Sequence, residues 1–484
     1  FNKKNSLEII IHNNSTEDLE QIKLCFNLIY SIKSINGANI YKKTGRYYEL
    51  YMDNKLFKSK EIITLTIELH HSNPKIGTYN MSCGPKGLFI IDKNENLIDS
   101  IVKELVFESK IQKAQYAKIN ESLVIPIVPE PKEICFLNDN FIDCKNNFFI
   151  EDSELLEICT FLKTTCDRLA INFTSTNGIN VKCIKKNFKK DQYKLIISDQ
   201  TILIHAADYG GKLYAFISLL HLINYYHNKI PQIEITDSPK FKWRGMHLDC
   251  ARQFHSVAQI KRLLLYMAMF KLNRFHWHLT DNEAWRLDVP SFPELASKSS
   301  FRGYHEIIPP LYGSGYLRYG GFYSSSDVNE VVLYAKKLNI EVMPEIELPS
   351  HAWALVQVMP ELRDQFSNKI SEDVGNYSNN VINPSLTVTW NFLEKILSDI
   401  SKMFPYSIIH VGLDERPKTA WEGSPEMMKF MKQNNYHSFG EVQDFYMNKV
   451  IELLKKNNKR TAAWNEAALP PYKDIGSGGS EGNI

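Results

Sequence analysis

The sequence predicts an α/β protein whose C-terminal half is either a (β/α)8 barrel or an open, doubly wound parallel sheet. Three observations support this prediction. Short apolar runs separated by turn residues fill residues 1–124, a Pro-rich link follows at 126–131, and strand and helix patterns alternate after Pro239. Such alternation requires right-handed parallel crossovers, which both architectures contain. We therefore expect three domains, at residues 1–124, 125–237 and 238–484.

The N-terminal region consists of short apolar or alternating runs. They fall at residues 7–11, 47–51, 62–69, 88–91 and 101–107. Runs of this length without helical periodicity predict an antiparallel β-sandwich. We find no catalytic combination of residues in it.

The second region, residues 125–237, mixes both patterns. Residues 193–197 and 201–205 are predicted to be strands. A helix is predicted over residues 211–226, because apolar side chains recur there at helical spacing. A small α+β domain packed beside the C-terminal region fits these elements.

The C-terminal region contains five predicted strands that alternate with helices. The strands are expected at residues 246–249, 275–279, 340–345, 407–411 and 461–464. Capping boxes at Ser256 and Ser438, each with Gln or Glu three residues later, predict the starts of two helices. Further helices are predicted from near Ser326 and over residues 389–403.

The composition excludes several functional classes. The chain has 484 residues, of which 44% are hydrophobic and 23% charged, and its formal net charge is +2. So small a charge gives no broad attraction for nucleic acid or anionic membranes. No apolar stretch approaches the ~18 residues of a membrane span. The chain begins at Phe1 without the apolar core of a signal peptide.

The eight cysteines show no CxxC spacing, which argues against a zinc ribbon or a thioredoxin-type motif. Cys135 and Cys144 are placed so that a disulfide could close a hairpin, and buried free thiols explain the count equally well. The cysteines therefore do not distinguish an oxidising from a reducing compartment.

Polar residues stand at the C-terminal end of every predicted strand of the last region. They are Asp249, Arg252, His278, Asp281, Glu345, Glu347, Asp414, Glu415 and Glu466. In a (β/α)8 barrel this rim is where active sites are built.

The sharpest local feature is the sequence from His410 to Glu415, where two adjacent carboxylates follow a buried strand. Adjacent residues leaving a strand point in different directions. Asp414 and Glu415 are thus poorly arranged to flank a scissile bond as an acid and a nucleophile about 5.5 Å apart. We expect one to donate a proton to a leaving group and the other to orient a substrate group.

Five separated motifs together resemble the β-N-acetylhexosaminidases of glycoside hydrolase family 20. They are Trp243-Arg244-Gly245-Met246-His247-Leu248-Asp249-Cys250-Ala251-Arg252, Phe275-His276-Trp277-His278-Leu279-Thr280-Asp281, Glu345-Ile346-Glu347-Leu348-Pro349-Ser350-His351, His410-Val411-Gly412-Leu413-Asp414-Glu415 and Trp464-Asn465-Glu466. The resemblance implies a (β/α)8 TIM-type barrel preceded by a small α+β domain and an N-terminal β-sandwich. It also implies a retaining exo-β-N-acetylhexosaminidase that acts on terminal β-linked GlcNAc or GalNAc.

The family mechanism, as the resemblance implies it, is substrate-assisted: the 2-acetamido oxygen of the sugar attacks its own anomeric carbon. Glu415 matches the general acid and later base. Asp414 matches the residue that orients the acetamido N–H and stabilises the oxazolinium intermediate. Arg252 matches the residue that binds the 3- and 4-hydroxyls, for which a planar guanidinium is suited.

Four further residues are expected, on the same resemblance, to contribute to substrate binding. Asp281 and His351 match supporting polar residues, Trp464 matches an aromatic wall against the sugar, and Glu466 belongs to the same motif. No cofactor or metal is expected. The partner would be an oligosaccharide or glycoconjugate containing N-acetylhexosamine, and the resemblance favours a secreted, periplasmic or lysosomal location.

The sequence departs from the family pattern in three places. Leu413 stands where a second glycine is usual, and Ser350 replaces the glycine of Pro-Gly-His. Only five of eight barrel strands are recognised. We expect the natural gene product to continue by roughly 100 residues that supply the last three, from the size of such barrels.

Two alternatives remain. His276 and His278 form an HxH pattern typical of metal-dependent barrel hydrolases, which chelator sensitivity would reveal. The second alternative is a non-catalytic carbohydrate-binding homologue. Turnover of an aryl N-acetylglucosaminide would exclude it.

Overall fold

The structure is a computed structural model. It describes residues 6–53, 56–70, 84–103, 125–144, 148–165, 173–174, 178–199, 201–227, 229–363, 372–373 and 375–468.

Two antiparallel sheets occupy the N-terminal region. The first consists, in spatial order, of Ser6–His12, Ile62–Leu69 and Ile32–Asn36; the second of Leu97–Ile98, Lys86–Ile91, Lys23–Asn27, Tyr47–Met52 and Ala38–Thr44. Leu19–Glu20 pairs with Leu56–Phe57. One apolar core with side chains from both larger sheets lies between them. No strand forms at residues 101–103, and the rest of the predicted strand 101–107 lies outside the described residues.

The middle region is a seven-stranded mixed sheet with two helices. The strands are, in spatial order, Glu133–Asp143, Lys229–Asp237, Tyr193–Ser198, Thr201–Ala206, Ile179–Lys185, Phe148–Ile150 and Phe173–Thr174. The helices are Ser153–Thr165 and Tyr209–Tyr225. Asp208 caps the second helix by accepting a hydrogen bond from the backbone N–H of Gly211 at 2.9 Å.

The C-terminal region contains the five parallel strands that the sequence predicts. They are Gly245–Asp249, Arg274–His278, Glu341–Glu345, Ile408–His410 and Arg460–Ala462, paired in chain order. The helices are Val257–Met269, Pro293–Ser299, Ser325–Lys337, Trp353–Val358, Thr387–Met403, Pro425–Asn434 and Phe439–Lys456. Both predicted capping boxes are present, and Ser324 and Asp327 form another.

Short elements at the strand ends complete this region. Thr280–Asp281 pairs with Ala284–Trp285, and Phe301–Arg302 pairs with Tyr319–Gly320. Turns of 3₁₀ helix lie at Leu311–Gly313, Pro360–Leu362 and Asn465–Ala468.

The N-terminal sheets pack on the loops at the carboxyl ends of the parallel strands. Tyr47 and Phe89 share an apolar cluster with Ile308, Leu311 and Tyr377. This contact places the second N-terminal sheet beside the rim on which we expect the site.

The two cysteines considered for a disulfide are both free. Cys135 is exposed, whereas Cys144 is buried, and burial raises the pKa of the Cys144 thiol to about 12. The predicted alternative of buried free thiols therefore holds for Cys144, whereas Cys135 is free but exposed.

Candidate active site

The carboxyl ends of the parallel strands bring one row of polar side chains together. The strand register places Asp249, His278, Glu345 and His410 opposite one another on successive strands. Residues in register on neighbouring parallel strands point to the same face of the sheet. The row therefore forms a continuous polar surface beneath the rim.

Glu345 is the centre of this row and is fully buried. Its carboxylate lies 2.6 Å from His278 Nδ1 and 2.9 Å from both His276 Nε2 and His410 Nδ1, and His247 Nε2 is 3.4 Å away. Burial alone would raise the pKa of Glu345, but hydrogen bonds from the imidazoles hold it far below its usual value. Glu345 is therefore an anion in the barrel interior.

The HxH histidines, which suggested a metal site, both direct a ring nitrogen at Glu345. The ligand atoms of His247, His278 and Glu345 lie within 4.8 Å of one another, as do those of His276, Glu345 and His410. His278 hydrogen-bonds to Glu345, and the other imidazoles lie 2.9–3.4 Å from the same carboxylate, which accounts for this spacing. Burial lowers the pKa of His276 to about 4. The alternative of a metal-dependent hydrolase stays a hypothesis, which sensitivity of the activity to a chelator would test.

Asp281 is buried at the start of the loop after the second parallel strand. Its carboxylate lies 2.7 Å from Arg252 Nη2, 2.8 Å from His278 Nε2 and 3.1 Å from His351 Nδ1. Burial would raise the pKa of Asp281, but His351, Arg252 and His278 hold it well below its ordinary value. As an ion it fixes three cationic side chains at once.

His351 connects Asp281 to the two adjacent carboxylates. Its Nε2 lies 3.5 Å from Asp414 Oδ2 and 3.5 Å from Glu415 Oε2. Burial would lower the pKa of His351, but Asp281 and Glu415 hold it well above the usual value. The resulting imidazolium lowers the pKa of Glu415 in turn. Asp414 and Glu415 therefore face a common cation and do not oppose each other across a gap.

The turn carrying these carboxylates has an unusual backbone. Gly412, Leu413 and Glu415 have φ angles of 69°, 72° and 48°. A Cβ at Gly412 would overlap the Glu347 carboxyl group, so only glycine fits there. Leu413 directs its side chain into the core, where it is fully buried.

Ser350, the second departure from the family pattern, stabilises the same turn. Its buried hydroxyl donates a hydrogen bond of 2.6 Å to the backbone carbonyl of Asp414. The substitution of serine for glycine thus adds a direct link between the loop of His351 and the loop of Glu415.

Arg252 lies at the rim among three carboxylates. Its nitrogens are 3.0 Å from Asp249, 2.7 Å from Asp281 and 3.2 Å from Glu283. Burial raises the pKa of Glu283 to about 7, with the charge of Asp281 adding to the effect. The side chain of Arg252 keeps 29% of its surface exposed, so N–H groups remain for a ligand.

A cavity of about 630 Å³ opens beside these groups. Arg252, Glu283, His351, Tyr377 and Glu415 line it from the C-terminal region. The N-terminal region contributes Asn27, Leu28, Ile29, Arg46, Gly84 and Lys86. A volume of this size lies within the range of small-molecule binding sites.

The remaining predicted site residues lie elsewhere. Trp464 packs on the rings of His410, His276 and His247, at centroid distances of 4.9, 5.6 and 5.9 Å, and is not among the described residues lining the cavity. Glu466 is half-buried in the turn that follows Trp464. The substrate-binding role of both stays a prediction.

Sequence reasoning did not assign a role to several residues that the structure brings to the site. Glu345 was predicted as a polar strand end within a family motif and His278 as part of the HxH pattern, neither with a role toward Asp281, and Glu283 follows Asp281 by two positions without a motif of its own. Glu347 is fully buried, and burial, together with Asp414 and Glu345, raises its pKa well above the usual value. Spacing in the sequence carries no sign of these contacts, because they join different strands.

No helix among the described residues is long and apolar enough to cross a membrane.

Comparisons with known proteins match both the middle and the C-terminal regions. Residues 241–474 match the model of the glycosyl hydrolase family 20 catalytic domain, and residues 124–238 match domain 2 of the same family. These matches fall on the parallel-stranded region and on the mixed sheet before it.

Individual proteins and a solved structure are similar to this chain over part of their own length. A beta-hexosaminidase of Vibrio furnissii is 29% identical over 95% of this chain and 76% of its own length, and one of Porphyromonas gingivalis is 30% identical over 73% of this chain and 47% of its own. The structure of an exo beta-N-acetylglucosaminidase from Vibrio harveyi in complex with N-acetylglucosamine superposes with a TM-score of 0.82 at 28% identity, covering 96% of this chain and 74% of that one. The predicted fold class, a (β/α)8-type barrel preceded by further domains, is confirmed.

Proposed function

The chain belongs to glycosyl hydrolase family 20, and we propose that it is a retaining, exo-acting β-N-acetylhexosaminidase that removes terminal β-linked GlcNAc or GalNAc by substrate-assisted catalysis. The Vibrio harveyi relative, by its title, is an exo beta-N-acetylglucosaminidase seen with N-acetylglucosamine. The substrate proposed here is a saccharide or glycoconjugate of the same class.

The observation that carries the proposal is the contact of Asp281, His351 and Glu415 at the edge of a cavity that Arg252 also lines. A proton donor needs a cleft, a partner that controls its charge, and a group that fixes the substrate beside it. Glu415 has His351 as that partner, and Arg252 lies close enough to share the cavity.

Glu415 acts in both steps of the proposed reaction. It first donates a proton to the leaving-group oxygen, and it then removes a proton from the water that opens the oxazolinium ion. Because His351 lowers the pKa of Glu415, the substrate-free form favours the carboxylate. A bound sugar that shields Glu415 from water would favour the protonated form needed for the first step.

Asp414 supplies charge to the acetamido group. Its carboxylate is 22% exposed and lies on the same side of His351 as Glu415. Since neither carboxylate stands opposite the other, an enzyme nucleophile is poorly placed, and attack by the sugar's own acetamido oxygen is the route that fits.

Arg252 binds hydroxyls of the terminal sugar. Three carboxylates already hold its guanidinium in one orientation, so little side-chain freedom remains to be lost when a sugar binds. Two neighbouring hydroxyls match the spacing of its N–H groups.

The replacement Glu415→Gln tests the proposal in the protein expressed from its full reading frame. The amide keeps the shape but cannot donate a proton, so we expect kcat on N,N'-diacetylchitobiose to fall by about 10²- to 10⁴-fold. Glu422→Gln, a change on the same loop, serves as the control. Unchanged turnover of the disaccharide by Glu415→Gln would disprove the assignment, and absence of turnover by the unmodified protein would favour a non-catalytic carbohydrate-binding role.

A further inference from the structure

A string of five side chains runs from the barrel interior to the cavity. Glu345 Oε2 lies 2.6 Å from His278 Nδ1, and His278 Nε2 lies 2.8 Å from Asp281 Oδ2. Asp281 Oδ1 lies 3.1 Å from His351 Nδ1, and His351 Nε2 lies 3.5 Å from Glu415 Oε2. The first three contacts are hydrogen bonds and the last is an ion pair, and the two contacts nearest the barrel interior are the shortest.

His278 is the link whose charge is fixed by geometry. Both of its ring nitrogens face carboxylate oxygens, and a neutral ring would direct a lone pair at one of them. His278 is therefore an imidazolium. Burial would lower its pKa, but Asp281 and Glu345 hold it well above the usual value.

Charge consequently alternates along the string from Glu345 to Glu415. Other ionisable groups face its members: His247, His276 and His410 at Glu345; Arg252 and Glu283 at Asp281; and Asp414, Glu347 and Asp373 near His351. His278, Asp281 and His351 each lie between two groups of opposite charge. Because these side chains are buried, such contacts resist their rotation.

We propose that His278 and Glu345 are positioning residues that hold Asp281, and through it His351, in the orientation in which His351 Nε2 faces Glu415. This inference rests on the proposed function, in which Glu415 delivers the proton. His278 and Glu345 are 3% and 0% exposed and act only through their neighbours.

His276 provides a matched control within the same cluster. It lies on the same strand as His278, points to the same side of the sheet and contacts the same carboxylate at 2.9 Å. Its ring contacts Glu345 and not Asp281. Replacement of His276 therefore perturbs the cluster without breaking the string.

The first test compares His278→Gln with His276→Gln on two substrates that differ in their need for a proton. One is N,N'-diacetylchitobiose, and the other is a 2,4-dinitrophenyl N-acetylglucosaminide, whose leaving group departs unprotonated. We expect His278→Gln to lower kcat on the disaccharide by about 10- to 100-fold, the range found when groups that orient metal-binding histidines are replaced. The loss on the dinitrophenyl substrate should stay below about threefold, with KM little changed.

The contrasting results overturn the proposal. Equal losses on both substrates, or the same pattern from His276→Gln, would assign His278 a purely structural role.

The second test is a double-mutant cycle with Glu415→Gln. If His278 acts through Glu415, adding His278→Gln to Glu415→Gln costs no further activity on the disaccharide. Independent, multiplicative losses would contradict the inference. Should circular dichroism show that His278→Gln is unfolded, Glu345→Gln, which keeps the side-chain shape, takes its place with the same expectations. If the proposed function itself is wrong, Glu415→Gln keeps full activity. That result distinguishes failure of the proposed function from failure of this inference.

Discussion

Leu413→Gly restores the family's usual residue next to Asp414 and Glu415, the carboxylates proposed to act in catalysis, and has two opposing effects on stability. The left-handed backbone of Leu413, at φ 72°, costs a non-glycine residue about 1–2 kcal/mol, which glycine recovers. The fully buried leucine side chain contributes the opposite effect, since truncating such a residue costs about 2–5 kcal/mol. The stability lost with the buried side chain therefore outweighs the stability gained by relieving the backbone strain.

We therefore expect Leu413→Gly to lower the free energy of unfolding by about 2 kcal/mol, the difference between the midpoints of the two effects, within a range of about 0–4 kcal/mol. Leu413→Ala is the matched control: it removes almost as much side chain yet keeps the left-handed strain. Stability should fall in the order wild type, Leu413→Gly, Leu413→Ala.

Urea denaturation followed by tryptophan fluorescence measures this order, with loss of hydrolytic activity as a second probe of the barrel. The two probes should agree if the barrel unfolds cooperatively. A glycine variant more stable than the wild type, or an alanine variant as stable as the glycine variant, would refute the reasoning.

Two further predictions concern the cavity. Arg252→Lys should raise KM by about 10-fold or more with a smaller effect on kcat, because a single ammonium cannot match two hydroxyls and three carboxylates at once; steady-state kinetics on an aryl N-acetylglucosaminide measure this, and an unchanged KM would remove Arg252 from the binding site. His351→Gln should move the alkaline limb of the kcat/KM profile to higher pH. The sign follows because His351 lowers the pKa of Glu415, so its loss lets Glu415 keep its proton to higher pH; a limb that stays in place or moves to lower pH would contradict the contact.

The parallel strands were predictable because their cues are local. Buried strands appear as short apolar runs, and serine capping boxes mark helix starts. The five strands of the described C-terminal region fall within about two residues of their predicted bounds. The motif residues were predictable for the same reason. Asp281, His351 and Glu415 each lie in a recognisable sequence context.

The contacts between motifs were not predictable. The convergence of four imidazoles on Glu345 depends on the register of four strands, which no single segment encodes. The N-terminal region gave no functional signal, yet Asn27 and Arg46 line the cavity, because that placement depends on how one region packs on another. The sequence also did not indicate how the turn accommodates Leu413. Its positive φ angle and its full burial show that the backbone adopts a left-handed conformation and that the side chain packs in the core.

The central claim is that the substrate's own acetamido group is the nucleophile. The most direct measurement compares kcat/KM for an aryl β-N-acetylglucosaminide with that for the matching aryl β-glucoside, in which hydroxyl replaces acetamido, on the protein from its full reading frame. The account predicts that the acetamido substrate is favoured by at least about 10³-fold, since an internal nucleophile held beside the reacting carbon is worth several kcal/mol. Equal turnover of the two substrates would contradict it.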